Sequence, residues 1–497
     1  MTAGALIQIQ NGYADRMAFL TFNPQISYFK SVYKRYTNFA HEYINLLPDS
    51  SSDLTKDQGT SISFKIKRDS DLMNKVYFCF ELPDIYSRNG LDFQWIQRIG
   101  EYIIKDVSFQ VGSNLTLDRQ YGEYLHIWSE LNLNKEQKEG YYKMIGHTTD
   151  MYDPASIEGH GGYPGSSNST RKVYPSILGR KIYVPLRFWF NLNVANSFPL
   201  IGVQYEDIKI NFTLRPLREL YTVLNGGSPD LRIRPNTTSH NIGNFFETVD
   251  NTSSLNINPT LEIKHIFLDA EERKRFAINS LEYLSHQVQR VQSQTVNDTN
   301  FLLNLKDLNK PITQLHFIIR RSDFEDKNLW SNFTNWPIPS SPFYAENYTS
   351  VYYDQSSITF SNSNIKYYKT KELLKSSELR LDTSIITNGN SKDYTATPPT
   401  RLEGKDNRFF NLVTNYEGNN SVPDEGIYTY SFNLNNGSNQ PYGACNMSTI
   451  TNKDLRLFLN EVNSGDGFSY SYNIYVYAEN LEIIKVMGGL ANEMFSN

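Results

Sequence analysis

The sequence predicts an all-β protein with a few short helices. Tyrosine and phenylalanine number 34 and 29 among 497 residues, and aromatic side chains suit the half-buried faces of sheets. Several segments alternate strictly between apolar and polar residues, and stretches rich in Asn, Gly, Pro and Ser separate them. Clear helical spacing of apolar residues occurs in a single segment. Short strands at such turn-punctuated intervals are typical of β-sandwiches of the jelly-roll kind.

The clearest predicted strand lies at residues 205–214. Ile208, Ile210, Phe212 and Leu214 alternate with polar residues, so the four apolar side chains share one face of a sheet. Weaker alternation or short apolar runs predict further strands at residues 75–82, 102–111, 180–187, 261–268, 312–320, 427–434, 455–460 and 472–484.

Helices are predicted to be few. One short amphipathic helix is expected where aromatic and apolar residues recur at helical spacing, at Tyr121, Tyr124, Leu125, Trp128 and Leu131. The stretch 270–289 fits a second helix, but also a strand or a loop. The Ser-Gly-Asp-Gly sequence at residues 464–467 predicts a hairpin turn.

Three long polar segments interrupt the strands, at residues 134–176, 222–260 and 322–408. Structureless loops of this length are uncommon inside compact domains. The aromatic residues of the first and third segments are unusual for a disordered linker, so we expect insertions that neighbouring subunits hold in place. The middle segment is rich in Asn, Thr, Ser and Pro and is predicted to separate two domains.

The charge balance argues against a coat protein that binds nucleic acid by neutralising its phosphates. The net charge is −5, from 48 basic and 53 acidic residues, and no long run of one sign occurs. A coat that neutralises phosphates needs an excess of basic side chains. Three basic clusters are expected to lie on mixed, solvated surfaces, namely Lys65, Lys67 and Arg68; Arg273, Lys274 and Arg275; Arg320 and Arg321.

Cysteine usage and the N-terminal sequence favour a soluble, cytosolic chain. Cys79 and Cys445 lie far apart and allow at most one disulfide, which favours a reducing compartment. The N-terminal residues lack the basic region and apolar run of a signal peptide. No stretch approaches the roughly 18 consecutive apolar residues of a membrane-spanning helix.

No catalytic, cofactor-binding or metal site is predicted. No two of the eight histidines stand four residues apart, and no CxxC occurs. His147, Asp150, Asp153 and His160 are close in sequence, but we expect them to be polar residues of an exposed loop. The glycines of residues 159–165 lack the Gly-Lys-Ser/Thr of a phosphate loop, and no GxSxG nucleophile motif occurs.

A series of sequence blocks runs in order along the chain. Examples are Leu20-Thr-Phe-Asn-Pro-Gln-Ile-Ser-Tyr-Phe-Lys30 and Gly179-Arg-Lys-Ile-Tyr-Val-Pro-Leu-Arg-Phe-Trp-Phe-Asn191. The others are residues 4–8, 13–15, 32–40, 200–206, 267–277, 440–448, 475–480 and 487–491. Together they resemble the major capsid proteins of nucleocytoplasmic large DNA viruses, the group that contains iridoviruses, phycodnaviruses, mimiviruses and marseilleviruses.

The resemblance implies two consecutive eight-stranded jelly-roll barrels with long loop insertions. Residues 1–29 would form an N-terminal arm, residues 30–218 the first jelly roll and residues 219–497 the second. Three chains would form a homotrimer, a pseudo-hexagonal capsomer that tiles the icosahedral shell of a large DNA virus. This is a structural role, with no enzymatic activity, no cofactor and no direct sequence-specific nucleic-acid binding. The protein would reside in the virion capsid, and in the host cytoplasm or viral factory during assembly.

The implied partners are two other copies in the trimer, neighbouring capsomers, and minor capsid and penton proteins. Residues 134–176 and 322–408 are predicted to contribute to trimer contacts and to the outward crown. The aromatic residues of the arm leave two interpretations open: they contact the inner membrane side or minor capsid proteins, or they complete the core of the first barrel. The residues concerned are Tyr13, Phe19, Phe22, Tyr28 and Phe29.

Three other classes of protein remain to be weighed. A carbohydrate-binding jelly roll would need only one barrel, with aromatic residues clustered at one loop end. A polysaccharide-cleaving enzyme would need a cleft with paired carboxylates. A minor capsid or vertex protein usually carries a single jelly roll, so family-like blocks near both residue 200 and residue 475 argue against it.

Overall fold

A computed structural model describes most of the chain. The described residues are 2–12, 19–50, 53–88, 90–112, 115–156, 163–165, 168–169, 172–225, 234–250, 252–334, 373–382, 384–390, 426–434, 440–460 and 470–495. They belong to two compact units, Met1–Phe39 and Ala40–Asn497. The first unit contains helix α1 (Ala3–Gly12).

The second unit consists mainly of strands, the first of which begins one residue before it, at Phe39. In its first half the elements are β1 (Phe39–Leu46), β2 (Asp53–Leu54), β3 (Thr60–Ile66), β4 (Leu72–Leu82), β5 (Leu91–Trp95), α2 (Ile99–Tyr102), β6 (Ile104–Val111), β7 (Leu115–Tyr121), α3 (Gly122–Asn132), α4 (Lys135–Ile145), α5 (Thr149–Tyr152), β8 (Asn168–Ser169), β9 (Lys172–Val173), β10 (Arg180–Pro185), α6 (Trp189–Leu192), β11 (Phe198–Pro199), β12 (Ile208–Leu214), β13 (Tyr221–Asn225), β14 (Leu255–Asn256) and β15 (Thr260–Leu268).

In its second half the elements are α7 (Ala270–Ile278), β16 (Leu281–Val296), β17 (Asn300–Asn304), β18 (Pro311–Arg321), β19 (Leu374–Leu381), β20 (Ser384–Asn390), β21 (Ile427–Ser431), β22 (Cys445–Asn446), β23 (Lys453–Leu459), β24 (Tyr472–Met487) and β25 (Leu490–Glu493).

Eight of the strands in the first half form two facing sheets. Their orders are β1-β15-β4-β10 and β3-β12-β6-β7. Counted along the chain, the first of the eight strands pairs with the eighth, the second with the seventh, the third with the sixth and the fourth with the fifth. This is the pairing of one long hairpin wrapped into two sheets, the double-sheet jelly roll.

The second half repeats the same strand order. Its sheets run β16-β24-β18-β21 and β17-β23-β19-β20, and the short strands β22 and β25 extend the first of them. Again the first of the eight strands pairs with the eighth and the third with the sixth, as in β16 with β24 and β18 with β21. The chain therefore contains two jelly rolls, called here the first and second barrels.

Strand pairing joins two segments beyond residue 218, the predicted end of the first barrel, to strands of that barrel. Strand β13 pairs with β5 and β15 pairs with β4. Strand β15 is the eighth strand of the first barrel, and without it β1 and β4 would lose the strand that joins them. The polar segment 222–260 is thus followed by one more strand of the first barrel.

Alternating strands were predicted well. Strand β12 spans Ile208–Leu214, and its alternate residues Ile208, Ile210, Phe212 and Leu214 are all buried. The ring of Phe212 stacks on Phe78 of β4 at 4.5 Å between ring centroids, so the two sheets meet in an aromatic core. The helix predicted around residues 121–131 is confirmed as α3.

Three predictions differ from the structure or fall outside it. Residues 135–156 of the segment 134–176 form helices on the chain's own core, where Ile145 is completely buried. The stretch 270–289 divides into helix α7 and the beginning of β16. The turn at 464–467 lies outside the described residues, and the flanking strands β23 and β24 belong to different sheets.

Capping residues in the sequence mark both ends of helix α4. The side chain of Asn134 accepts a hydrogen bond from the backbone amide of Gln137 at 2.7 Å, and the Gln137 side chain accepts one from the Asn134 amide at 3.2 Å. Gly146 ends the helix with a φ of 75°. This Asn-x-x-Gln capping box and C-terminal glycine identify the helix from sequence alone.

Candidate functional site at the seam between the barrels

Helix α3 of the first barrel lies against the outward face of the second barrel. Along β18, Leu315, Phe317 and Ile319 point into the barrel core, so the residues between them point outward. The outward Ile318 packs with Tyr124 of α3 in one buried apolar cluster. The other members of this cluster are Ile127, Val288, Phe333, Ile427 and Tyr477. We call this contact between α3 and the outward face of β16, β18 and β24 the seam.

A buried charge cluster links the barrels across the seam. Arg215 of the first barrel donates a hydrogen bond to Glu123 Oε1 at 2.6 Å, and Arg320 Nη1 of the second barrel lies 3.6 Å from the same oxygen. Burial alone would raise the pKa of Glu123, but the charges of Arg215, Arg320 and Arg290 outweigh it and lower that pKa. Each charge here needs its partner, because an unpaired ion in such a site is strongly destabilising.

Aromatic rings surround the Arg320 guanidinium. Its central carbon lies 5.8, 5.1, 5.1 and 5.2 Å from the ring centroids of Tyr102, Phe324, Phe333 and Tyr475. The side chain is 0% exposed. Cation–π attraction of this kind strengthens when water is excluded, so these rings offset part of the cost of burying the charge.

A row of titratable side chains lies beside this cluster. The Tyr124 hydroxyl donates a hydrogen bond to Glu479 Oε1 at 2.6 Å, and His316 Nε2 lies 3.2 Å from the same oxygen. His316 also contacts the Thr429 hydroxyl through Nδ1 at 3.0 Å. The row joins a helix of the first barrel to two strands of the second.

A second buried ionic network holds α2, α3 and α4 together in the first barrel. Arg98, at a φ of 55°, bonds to Glu101 at 3.2 Å and to Glu130, and Lys138 of α4 bonds to Glu130 at 2.7 Å. The Tyr141 hydroxyl donates to Glu101 at 2.8 Å, and burial raises the pKa of this tyrosine well above its usual value. Helix α4 is thus bound to its own barrel.

A third polar cluster ties the C-terminal strand β25 to the first barrel. Gln287 Nε2 donates to the Leu117 carbonyl oxygen at 2.6 Å and to Glu493 at 2.7 Å. Lys310 bonds to Glu493 at 3.2 Å. Nearby, Asp118 is fully buried, and this burial raises its pKa well above the usual value for a carboxyl group.

One prediction about charge was wrong at the seam. Arg320 and Arg321 were expected on a solvated surface, but both are buried, and Arg321 pairs with Asp323 at 2.6 Å. Alternation marked Arg320 as outward-facing, yet nothing in one sequence reports that another barrel covers that face. Lys65 and Arg273 of the other clusters are half exposed, as expected.

The loop residues that resembled metal ligands are used differently. His147 lies between the rings of Tyr142 and Tyr152, each at 4.8 Å between centroids. Asp150 pairs with Arg180, and His160 lies outside the described residues. Across the ranges that the structure covers, no three His, Cys, Asp or Glu side chains converge as metal ligands.

The two cysteines are free thiols. Cys79 is buried in β4, and burial raises the pKa of its thiol to about 12, so the reactive thiolate is suppressed. Burial also raises the pKa of Cys445. Within the described part of the chain, no helix is both long and apolar enough to span a bilayer.

The N-terminal unit exposes apolar side chains to an unusual degree. Phe19, Phe22, Tyr28 and Phe29 are 87%, 85%, 89% and 99% exposed, while Tyr13 lies outside the described residues. Residues 6, 7, 9, 20, 26, 32, 33 and 36 are further exposed apolar or aromatic positions. Grouped exposure of this kind is a mark of interaction segments.

Comparison with known proteins agrees with this architecture. The family model described as the major capsid protein N-terminus matches residues 27–269, and the model of the large eukaryotic DNA virus major capsid protein matches residues 272–492. The major capsid protein of Phaeocystis pouchetii virus is 29% identical over 100% of this chain and 100% of its own length.

Solved structures share the fold. PBCV-1 VP54 matches with a TM-score of 0.64 and 21% identity, covering 95% of this chain and 100% of that chain. The Faustovirus major capsid protein matches with a TM-score of 0.62 and 13% identity, covering 96% of each chain. These neighbours establish the double jelly-roll capsid-protein fold. With the two family models spanning nearly the whole sequence, the chain belongs to the major capsid protein family of large eukaryotic DNA viruses.

Proposed function

We propose that this chain is the shell subunit of a large DNA virus, acting as a structural protein and not as an enzyme. Three copies form a homotrimer, and such trimers tile an icosahedral capsid. The observation that carries the proposal is the repeated strand order of the two barrels. Two similar barrels in each of three chains give six similar units around one axis, so a trimer can occupy a hexagonal position in a lattice.

The contact between subunits in such a trimer is heterologous and closes after three steps. The two barrels of one chain are already joined by a buried seam, so the chain can present them as a single rigid block. A permanent trimer would bury more than about 2,000 Å² at each contact, whereas contacts between trimers can be smaller and reversible. The neighbouring trimers and the minor capsid and penton proteins are the further partners in this proposal.

Light scattering coupled to size exclusion tests the trimer. The expected mass is about 172 kDa, three times 57.4 kDa, and it should persist on dilution because a large interface dissociates weakly. A mass near 57 kDa at all concentrations would contradict the proposal.

The repeated topology also separates this proposal from its rivals. A lectin-like jelly roll or a vertex protein needs only one barrel, and a second barrel of the same order would then be unexplained. We further propose that the division between the barrels falls near residue 270, after β15 and before β16. Separate expression of residues 40–270 should give a soluble fragment that exposes its α3 face; an unfolded fragment would argue for one indivisible unit.

Segments 134–176 and 322–408 remain our candidates for trimer contacts and the outward crown. Most of the second segment lies outside the described residues. Deleting the first would remove Tyr141 and Ile145 from the core, so a lost trimer would then report on folding. Deleting residues 391–408 alone is the cleaner test. A weakened trimer with an unchanged far-ultraviolet circular dichroism spectrum would support a role of this segment in trimer contacts. An unaltered trimer would oppose that role.

We propose that the N-terminal arm contacts minor capsid proteins or the inner membrane side of the shell. The exposed rings of Phe19, Phe22 and Phe29 support this. Removing residues 1–20 should leave the trimer mass intact, after allowance for the deletion, and reduce the yield of sedimenting particles. Loss of the folded protein would instead favour a role of these residues in the barrel core. Phe22→Ser is the single-residue version of the test.

A further inference from the structure

Three titratable side chains line up across three neighbouring strands at the seam. Glu479 of β24 pairs with Val288 of β16 and with Gln314 of β18. His286 and His316 each stand two residues from these partners, and residues two apart on a strand project from the same face. The histidines therefore flank Glu479 on both sides, and all three point toward the first barrel.

The carboxylate of Glu479 is already engaged. Its Oε1 accepts a hydrogen bond from the Tyr124 hydroxyl at 2.6 Å and lies 3.2 Å from His316 Nε2. His286 Nε2, by contrast, is buried and has no hydrogen-bond partner among the described residues. Because Glu479 Oε1 already has two partners, a proton on His286 Nε2 would place a charged donor at a buried atom that has no acceptor among the described residues.

The seam around the row contains further charged and aromatic side chains. The charged and titratable groups that face the row are Glu123 and Tyr124 of α3, Asp118 and Tyr121 of β7, Arg187 after β10, Arg290 of β16, Arg320 of β18, and Tyr475 and Tyr477 of β24. Three of these groups are guanidinium ions. Neighbouring arginines lower the pKa of Glu123, whereas burial raises the pKa of Asp118 well above its usual value.

We propose that the row His286–Glu479–His316 is an acid-sensitive latch, which holds α3 on the second barrel at neutral pH and releases it when His286 gains a proton. The latch is a property of one chain, so it goes beyond the proposed trimer and does not depend on it. In a shell, acidification then weakens the contact between the two barrels of each subunit.

The electrostatics of the row support this direction. Burial lowers the pKa of His286, although Glu479 opposes the shift. A histidine whose pKa is lowered on folding stabilises the fold above about pH 6.5, and this stability is lost as the pH falls toward the lowered value. For Glu479, burial acts to raise the pKa, but His316 and Tyr124 outweigh it and the pKa is lowered. Its contribution is lost below about pH 4.5, so both groups weaken the seam in acid.

Hydrogen exchange of the full-length protein at pH 7.5 and pH 5.0 tests the latch. After correction for intrinsic exchange, peptides from α3 and β16 should exchange faster at pH 5.0. One proton can raise the opening equilibrium by at most about tenfold for each pH unit below 6.5. Peptides from β12, inside the first barrel, serve as the internal control and should change little.

Variants assign the response to the row. His286→Gln removes the titration while keeping a polar side chain and should abolish the acid response of α3 and β16. The matched control His41→Gln, at an exposed position of β1, should keep it. Should His286→Gln fail to fold, Tyr124→Phe removes the hydroxyl bond to Glu479 and should speed seam exchange at pH 7.5.

Three results would overturn the latch. They are equal corrected exchange at both pH values in the unmodified protein, an acid response that survives in His286→Gln, or a response as large in β12 as in α3. The last would indicate acid unfolding through the buried histidines of the first barrel, His240 and His265, whose pKa values burial also lowers.

Discussion

Replacing Glu123 with glutamine removes one charge from the seam and almost no volume. The side chain is 4% exposed, and it faces Arg215 at 2.6 Å and Arg320 at 3.6 Å. Breaking a buried ion pair on one side costs about 3–5 kcal/mol. The lower end applies here, because glutamine still accepts a hydrogen bond and Arg215 keeps Glu219 at 3.2 Å. We therefore expect a loss of about 3 kcal/mol, roughly a hundredfold in the unfolding equilibrium.

Urea unfolding at pH 7.5 measures this loss, at one protein concentration because assembly would make stability depend on it. Tryptophan fluorescence and far-ultraviolet circular dichroism should be recorded together, since coincident transitions justify a single free energy. Glu271→Gln, on an exposed turn of α7, is the matched control and should change stability by less than about 0.5 kcal/mol. A cost below about 1 kcal/mol for Glu123→Gln would refute the view that the seam depends on this charge.

Two further predictions follow from close packing and from burial. Gly122→Ala should destabilise the chain by about 2 kcal/mol or more. An added Cβ there would lie 2.3 Å from the Ile104 carbonyl oxygen and 2.4 Å from the Glu101 carbonyl oxygen. Gly140→Ala, in open space on α4, should stabilise the chain by about 0.5–1 kcal/mol. Thermal melts of the pair should therefore shift in opposite directions, and shifts of one sign would contradict the geometry. Asp118→Asn should stabilise the protein at pH 7, because a carboxyl whose pKa is raised on folding loses stability as the pH rises above about 3.9. Urea titrations should show this gain vanish near pH 3.5, and an equal gain at both pH values would contradict the ionisation argument.

The strands could be predicted because their faces differ. Ile208, Ile210 and Phe212 alternate with polar residues since one side of β12 meets the core and the other meets water. Helix α4 could have been predicted from its Asn134 cap and Gly146 end. Strand β15 was also found from sequence, but its membership of the first barrel was not, because pairing partners far apart in the chain leave no local pattern.

The seam could not be predicted for a related reason. Arg320 and His316 alternate with core residues of β18 as solvent-facing residues would. Tyr124 of α3, about 190 residues earlier in the chain, covers His316. Arg320 is covered by Glu123 of the same helix and by rings that include Tyr102 and Phe333. Charged residues on an outward face are ordinarily solvated, so only the fold reveals that this face is covered and that its charges are paired.

Electron microscopy of the purified protein tests whether three chains, each with two jelly rolls, form one capsomer. Class averages should show a hexagonal outline, threefold symmetry and six lobes arranged as three pairs. Isolated two-lobed particles at micromolar concentration, or particles of twofold symmetry, would contradict it.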